Sequence, residues 1–277
     1  MVEAHGLYAP YFSEYLLDVA TKYDAILVSP DYTLLPRKHG LQDVQDDIKA
    51  FHHWLISDFS KVLAEHSVEA DLSKILLHGG SAGGYAALSQ ALAFPDAFKA
   101  LSLLYPMLDF DTEWWHKGTK ALGLPNPVKV PDEFFPTHED LVKRIDEARN
   151  GQRVSYGGED RVAFGVIIAQ AGLFQDVFNP NGDLSDDKTV WLNRRVKDGA
   201  KLPGRIWVLH GDDDTAVPHE TSLTFAETME KQGRPVRLDI VKGVDHGFEG
   251  TASATWKGRQ DPLITDGVSW LAESWLS

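Results

Sequence analysis

The stretch Lys74–Leu88, KILLHGGSAGGYAAL, decides the fold of this chain of 277 residues. It begins with an aliphatic run, passes through glycines and one serine, and continues into a helix-forming run rich in alanine. Its centre, Gly79-Gly80-Ser81-Ala82-Gly83, is a G-x-S-x-G pattern. Such a turn is sharp and strained, so we predict that a β-carbon at either outer glycine collides with the neighbouring strand or helix. The turn presents the Ser81 hydroxyl to a pocket and places the Ala82 N–H at a helix N-terminus, where it can donate to an oxyanion.

Short aliphatic runs along the chain predict β-strands, and most of them lack polar alternation, as strands covered on both faces do. The runs are Ala25–Ser29, Lys74–Leu77, Leu101–Tyr105, Arg205–Leu209 and Val236–Val241. Between them, apolar residues recur every three or four positions, for example from Val44 to Phe59 and from Ile264 to Trp275, which is typical of helices. The alternation predicts an α/β protein with a mostly parallel sheet and helices on both faces.

The region from residue 107 to residue 202 contains no confident strand and interrupts this alternation. Its helical patterns, such as His138–Asn150, predict a cap inserted between two strands and covering the edge of the sheet where ligands bind. We therefore divide the chain into residues 1–106 and 203–277, which form the core, and residues 107–202, which form the cap. Gly80 is a candidate residue for a substrate pocket. The aromatic residues of the cap are further candidates, although they could equally well only pack against one another. They are Trp114, Trp115, Phe134 and Phe135.

A serine nucleophile needs a base, and the base needs an orienting carboxylate. Two loops that follow predicted strands supply both: HGDDDTAVP at residues 210–218 and GVDHGF at residues 243–248. The resulting chain order is serine, aspartate, histidine. His78 and His210 stand at strand ends, where a histidine is more often part of a hydrogen-bonded framework.

Several of these stretches resemble the α/β-hydrolase superfamily, and within it the esterase/lipase branch often called hormone-sensitive-lipase-like. SPDYTLLPR at residues 29–37 is similar to the DYRLxPE segment of that branch, and HGGSAGGYAAL is similar to its GDSAGG elbow. HGDDDTAVP is similar to the HGxxDxxVP acid loop of dienelactone-hydrolase-like and prolyl-peptidase-like relatives. The resemblance implies the α/β-hydrolase fold, with Ser81 as nucleophile, His246 as base and Asp214 as acid. Asp212 and Asp213 stay alternatives for the acid.

The resemblance also has departures. Thr33 stands in place of the arginine of DYRL, Gly80 in place of an acidic residue, and Arg37 where an acid is common. The HGGG-type segment that supplies the second half of the oxyanion hole is matched only by His5-Gly6. We therefore expect the N-terminal strands of the fold to be missing. Either Ala25–Ser29 pairs directly with the strand before Ser81, or a strand of another molecule fills the gap, or the chain is only marginally folded.

The function that the resemblance implies is cleavage of a carboxylic ester of a small or medium apolar substrate through an acyl-enzyme. A peptidase or a lactonase uses the same triad, and both stay open within the hydrolases. A different class also stays open: a non-hydrolytic or catalytically crippled protein of this fold, because the loss of one oxyanion donor typically lowers kcat by about 10²- to 10³-fold.

Composition limits the classes of molecule that the protein is expected to bind. The formal charge of −14 disfavours nucleic acid and anionic membranes, and the absence of cysteine excludes disulfides and thiolate catalysis. No pair among the 11 histidines has a metal-ligand spacing accompanied by carboxylates, so we predict neither a metal nor another cofactor. No secretory signal is recognised in MVEAHGLYAP, which makes the cytoplasm the expected location. Whether the protein forms a homodimer stays open.

Overall fold

A parallel sheet forms the centre of the protein in the computed structural model, which describes residues 12–123, 137–155, 159–184 and 187–277. Within these residues the sheet has four strands, in the order β1-β2-β3-β4. The strands are β1 (Leu76–Gly80), β2 (Ala100–Leu104), β3 (Arg205–Gly211) and β4 (Val236–Val241), and every neighbouring pair is parallel. The expected α/β class with a mostly parallel sheet is confirmed.

Helices alternate with the strands or form the connection between β2 and β3. Their bounds are α1 (Tyr15–Tyr23), α2 (Leu41–Ser57), α3 (Phe59–Glu65), α4 (Ala82–Ala93), α5 (Glu113–Lys117), α6 (Thr119–Leu122), α7 (His138–Asn150), α8 (Glu159–Ala171), α9 (Phe174–Phe178), α10 (Leu192–Lys197), α11 (Glu220–Lys231) and α12 (Pro262–Trp275). Two short 3₁₀ turns, Phe248–Gly250 and Gly258–Gln260, precede α12. The apolar pattern from Val44 to Phe59 spans two helices, since α2 ends at Ser57 and α3 starts at Phe59.

Helices cover the sheet on both faces because successive strand side chains point to opposite sides. In β2, Leu101 and Leu103 pack into one apolar core with residues of α2, α4 and α11. Leu104 of the same strand packs into a second core with residues of α1 and α12. There α12 approaches β3 so closely that a β-carbon at Gly267 would come within 2.2 Å of the Trp207 ring.

The prediction of a strand at Ala25–Ser29 is wrong. None of these residues belongs to the sheet, and β1 is an edge strand with β2 as its only neighbour among the described residues. Aliphatic composition favours a strand, but a strand also needs a neighbouring backbone to accept and donate its hydrogen bonds. Here Ile26 and Leu27 remain 42% and 39% exposed. Direct pairing of this segment with the strand before Ser81 is therefore also wrong.

The connection between β2 and β3 carries helices α5 to α10 and contains no strand in its described residues. Its side chains share one continuous apolar core with the sheet, because Phe110, Trp115 and Phe178 belong to the same buried cluster as Leu101 and Ile206. The division of the chain at residues 107 and 202 stays a prediction.

Candidate active site

Ser81 lies in the sharp turn between β1 and α4. Its backbone has φ 52° and ψ −121°, a left-handed φ that a residue with a β-carbon rarely adopts. Three backbone hydrogen bonds hold this conformation: Ser81 N donates to Leu104 O at 2.9 Å, and Ser81 O accepts the N–H groups of Gly84 and Met107, each at 3.0 Å. Backbone strain of this kind persists where the surrounding structure enforces it, and it concentrates at functional sites.

The glycines around Ser81 allow the turn to close. A β-carbon at Gly79 would come within 2.1 Å of Gly83 O, and one at Gly84 would come within 2.4 Å of Pro106 Cβ. A β-carbon at Gly83 would meet no heavy atom within 4 Å. The collision predicted for both outer glycines of the pentapeptide is therefore confirmed for Gly79 and wrong for Gly83. The second close contact belongs instead to Gly84, one residue further along α4.

Ala82 is the first residue of α4, so its N–H has no acceptor within the helix and points out of the N-terminal end. The dipole of the helix places partial positive charge at the same point. This position suits an oxyanion donor, and the role of Ala82 stays a prediction. His5 and Gly6, the only match to an HGGG-type segment, lie outside the described residues.

Asp214 and His246 are brought together by the loops that follow β3 and β4. His246 Nδ1 donates to Asp214 Oδ2 at 2.7 Å, and the Asp214 side chain is completely buried. The other carboxylate oxygen, Oδ1, accepts the backbone N–H groups of Ala216 and Val217, each at 2.8 Å. With its Nδ1 proton committed to Asp214, the neutral imidazole keeps Nε2 free to accept a proton.

Opposing effects act on the ionisation of Asp214. Burial raises the pKa of its carboxyl, but the hydrogen bonds and charges of His210 and His246 outweigh burial and hold that pKa well below its usual range. Asp214 is therefore an anion at neutral pH.

His210 is a contact of Asp214 that sequence reasoning missed. This fully buried residue of β3 places Nε2 3.2 Å from Asp214 Oδ2 and 3.1 Å from Val217 O. Both neighbours are acceptors, so the geometry assigns the proton to Nε2, and Nδ1 accepts the Ser222 hydroxyl at 2.8 Å. The sequence indicated a hydrogen-bonded framework histidine. It did not indicate that one of its bonds orients the candidate catalytic carboxylate.

The neighbouring acidic residues fasten the two loops to each other. Asp212 Oδ1 accepts the backbone N–H of Gly243 at 2.7 Å, and Asp213 is exposed. Asp245 Oδ1 accepts the N–H of His246 at 2.7 Å and that of Thr215 at 2.8 Å. Of the three adjacent aspartates, only Asp214 contacts the His246 ring.

The Tyr105 ring lies next to His246 and next to Gly80, the residue that precedes Ser81. A β-carbon at Gly80, the residue before Ser81, would come within 3.4 Å of that ring, and the ring centroids of Tyr105 and His246 are 4.4 Å apart. Among the described residues, no hydrogen bond joins Ser81 Oγ to His246. Catalytic hydrogen bonds are often long in ligand-free structures and shorten when substrate binds.

The aromatic residues of the connection between β2 and β3 are packed into the core. Trp114 and Trp115 are 8% and 1% exposed, and the Trp115 ring lies 5.1 Å from Phe110 and 5.0 Å from Phe174, measured between centroids. Substrate contact by Trp114, Trp115 or Gly80 stays a prediction. Phe134 and Phe135 lie outside the described residues.

The described part of the chain has neither a metal-ligand cluster nor a helix that could span a membrane. Nowhere in it do three His, Asp or Glu side chains converge as metal ligands would. None of its helices combines the length and the apolar composition that crossing a bilayer requires.

Comparisons with known proteins identify the family to which the chain is similar. The sequence profile of the α/β hydrolase fold matches residues 8–129, and that of the prolyl oligopeptidase family matches residues 181–261. The chain is 30% identical over 278 residues to the probable carboxylesterase M8 of a Phoma species, covering 97% of this chain and 81% of that protein. It is 32% identical over 205 residues to the probable carboxylesterase clz11 of Cochliobolus lunatus, covering 72% of this chain and 88% of that protein.

A solved structure shares the fold. Carboxyl esterase 2 from the mycorrhizal fungus Tuber melanosporum superposes with a TM-score of 0.54 at 17% identity, covering 94% of this chain and 70% of that chain. Sheet order, the strained turn at Ser81 and the extent of similarity define the class as an α/β hydrolase. The chain belongs to the carboxylesterase group of that fold family.

Proposed function

We propose that this protein is a serine hydrolase that cleaves a carboxylic ester of a small or medium apolar substrate through an acyl-enzyme. The observation that carries the proposal is the 2.7 Å hydrogen bond between His246 Nδ1 and the completely buried carboxylate of Asp214. A histidine held in this way keeps Nε2 as a base, and the strained turn presents Ser81 at the N-terminus of α4.

Acylation would begin when Ser81 Oγ attacks the ester carbonyl carbon while His246 Nε2 takes the hydroxyl proton. The carbonyl oxygen becomes an oxyanion, which the Ala82 N–H at the start of α4 would stabilise. Collapse of this intermediate breaks the bond to the alcohol, which leaves with the proton from His246. The acyl group stays on Ser81.

Deacylation would repeat these steps with water as the nucleophile. His246 takes a proton from water, the oxygen attacks the acyl carbon, and the Ser81–acyl bond breaks as Ser81 Oγ regains a proton. The products are a carboxylic acid and an alcohol. Asp214 would hold the imidazole orientation and stabilise the imidazolium formed in each half of the reaction.

The test combines a fluorophosphonate probe with a short-chain nitrophenyl ester. Wild-type protein should be labelled by the probe and should hydrolyse the ester, and Ser81→Ala should do neither. Ser89→Ala is a matched control because Ser89 lies on the same helix, is buried, and its hydroxyl has no hydrogen-bond partner among the described residues.

The outcomes separate the two classes of function. Full activity in Ser81→Ala would overturn the proposed nucleophile. Labelling of wild-type protein without ester turnover would favour the catalytically crippled alternative, since a reactive serine would then lack sufficient oxyanion stabilisation.

A further inference from the structure

Tyr105, the residue that follows β2, has a strained backbone. Its φ is +33°, in the left-handed region that bulky side chains avoid. Its N–H donates to Leu209 O of β3 at 2.7 Å, while the neighbouring carbonyl of Leu104 accepts the N–H of Ser81. The strained peptide is thus fixed between the strand that leads to Asp214 and the turn that carries Ser81. Backbone strain of this kind clusters at functional sites.

The side chain of Tyr105 packs next to two residues of the candidate site, His246 and Gly80. It is 6% exposed. Its ring centroid is 4.4 Å from that of His246, with 59° between the ring planes, and it also lies against Gly80. Phe248 supports the ring from a centroid distance of 5.9 Å.

The hydroxyl of Tyr105 is held by a buried carboxylate. Tyr105 Oη donates to Glu249 Oε1 at 2.6 Å, and Ser13 Oγ donates to the same oxygen at 2.7 Å. Glu249 is 5% exposed, and its Oε2 has no hydrogen-bond partner among the described residues. Burial, reinforced by the charge of Glu249, raises the pKa of Tyr105 well above its usual value, so the phenol stays a donor. The hydrogen bond therefore fixes the ring and directs the phenolic proton away from His246.

Building on the proposed function, we infer that Tyr105, anchored by Glu249, is a positioning residue for His246: its ring sets the orientation of the imidazole and stabilises the imidazolium formed when Ser81 is deprotonated. The face of an aromatic ring attracts a cation positioned over it, within about 6 Å of the ring centroid. The neutral imidazole gains less from the same contact, so the interaction favours the protonated form and the transition states that lead to it.

Other charged and titratable groups also face His246. Asp214 accepts its Nδ1 proton, and Asp245 accepts its backbone N–H. His210 lies behind Asp214, and Glu249 lies behind the Tyr105 ring. The anions favour the imidazolium whether or not the aromatic ring is present, so the test must change the ring and leave these four groups in place.

The experiment compares Tyr105→Leu, which removes the ring, with Tyr105→Phe, which keeps the ring and removes the hydroxyl. The readout is kcat/KM for a nitrophenyl ester as a function of pH. Tyr105→Leu should lower kcat/KM roughly fivefold. It should also move the midpoint of the acid limb down by about 0.7 pH unit, because a fivefold change in the protonation equilibrium of His246 corresponds to that shift. Tyr105→Phe should leave that midpoint in place.

A matched control separates this effect from loss of packing. Tyr85 is a second buried tyrosine with a hydrogen-bonded hydroxyl, which contacts Gln45 and Val190, but its ring packs on Phe110. Tyr85→Leu should therefore lower the Tm without moving the acid limb. If Tyr105→Leu fails to fold, Tyr105→Met fills more of the space without providing a ring and should give the same shift.

A second measurement does not depend on turnover. In the Ser81→Ala background, NMR titration of the His246 ring should show a lower midpoint for Tyr105→Leu than for Tyr105 itself. Equal midpoints in this titration, or an unmoved acid limb in folded Tyr105→Leu, would overturn the inference. Failure of wild-type protein to react with probe and ester would overturn the proposed function, while the titration would still report whether Tyr105 acts on His246.

Discussion

Asp214→Asn tests the role of the Asp214 carboxylate in orienting His246, because the substitution removes the charge with almost no change in side-chain volume. The substitution replaces one of two oxygens by an NH₂ group. Asp214 Oδ1 accepts two backbone N–H groups, from Ala216 and Val217, and Oδ2 faces the ring nitrogens of His246 and His210. The single oxygen of asparagine satisfies the two backbone donors best, so its NH₂ group faces the two histidines.

The amide then reverses the hydrogen bond to His246. An NH₂ group cannot accept the Nδ1 proton, so the imidazole changes tautomer, with Nδ1 as acceptor and the proton on Nε2. Nε2 is the atom that the proposed mechanism uses as a base. In serine hydrolases that carry the equivalent substitution, this wrong tautomer lowers kcat by about 10⁴-fold. That factor corresponds to about 5 kcal/mol of transition-state stabilisation.

Stability should fall as well, because the hydrogen bonds and charges of the two histidines stabilise the anion in the folded protein. Losing a charge-assisted hydrogen bond typically costs about 1.5 to 3 kcal/mol, so Asp214→Asn should unfold at a lower urea concentration than wild type. The protein must remain folded at the assay temperature for the kinetic comparison to hold, which circular dichroism verifies.

The neighbouring aspartates provide the controls. Asn at position 212 can still accept the Gly243 N–H, and Asp213 is exposed. Initial rates of nitrophenyl ester hydrolysis should therefore change by no more than about threefold in Asp212→Asn and Asp213→Asn. If either control loses as much activity as Asp214→Asn, or if Asp214→Asn keeps most of its rate, the assignment of the acid is wrong.

Three further outcomes are expected. Ser81→Ala should abolish probe labelling and turnover with a nearly unchanged Tm, and a large loss of Tm would point to a structural role for the hydroxyl. Gly84→Ala should destabilise the protein strongly because the new β-carbon would collide with Pro106. Gly83→Ala should leave the unfolding free energy unchanged or raise it by up to about 1 kcal/mol. The reverse order of stability would contradict the geometry of the turn. Burial lowers the pKa of His78 from 6.5 to about 4 in the folded protein. Between these two pH values the unfolded chain binds a proton at His78 and the folded protein does not, so the unfolding free energy falls as pH falls from 6.5 towards 4. Urea unfolding at pH 7 and pH 5 should show about 2 kcal/mol more loss for wild type than for His78→Gln, and equal losses would show that folding does not lower the pKa of His78.

The sequence predicted those features that depend on local pattern. The core strands other than Ala25–Ser29 were recognised because each is a short aliphatic run, although their observed ends differ by up to three residues. The turn at Ser81 was recognised because glycines such as Gly79, which has no room for a β-carbon, accompany the serine between a strand and a helix. The loops holding Asp214 and His246 were located because each begins where a predicted strand ends.

Features that depend on which segments meet in space were missed. Ala25–Ser29 has strand composition, but composition does not supply a hydrogen-bonding neighbour. Tyr105 and Glu249 are far apart in sequence, and neither belongs to a motif, yet they meet next to His246. His210 was noticed as a strand-end residue, but its bond to Asp214 depends on the curvature of the loop between them. Gly84 rather than Gly83 is close-packed because the contact atom comes from Pro106, beyond β2.

Thr33 shows how a departure from a family pattern is compensated by a distant part of the chain. In place of the expected arginine, Thr33 uses its N–H to donate to Asp47 Oδ2 at 2.7 Å. A guanidinium is nevertheless present, because Arg153, between α7 and α8, donates to the Thr33 hydroxyl and to Asp47 Oδ1, the latter at 2.6 Å. Next to it, Leu34 N donates to Val154 O at 2.8 Å. Because Arg153 lies in the connection between β2 and β3, the pairing that replaces a local arginine also fastens this connection to the segment before α2. A residue-by-residue comparison counts Thr33 as a lost cation, whereas the folded chain places the Arg153 guanidinium on Asp47 and so attaches the connection between β2 and β3.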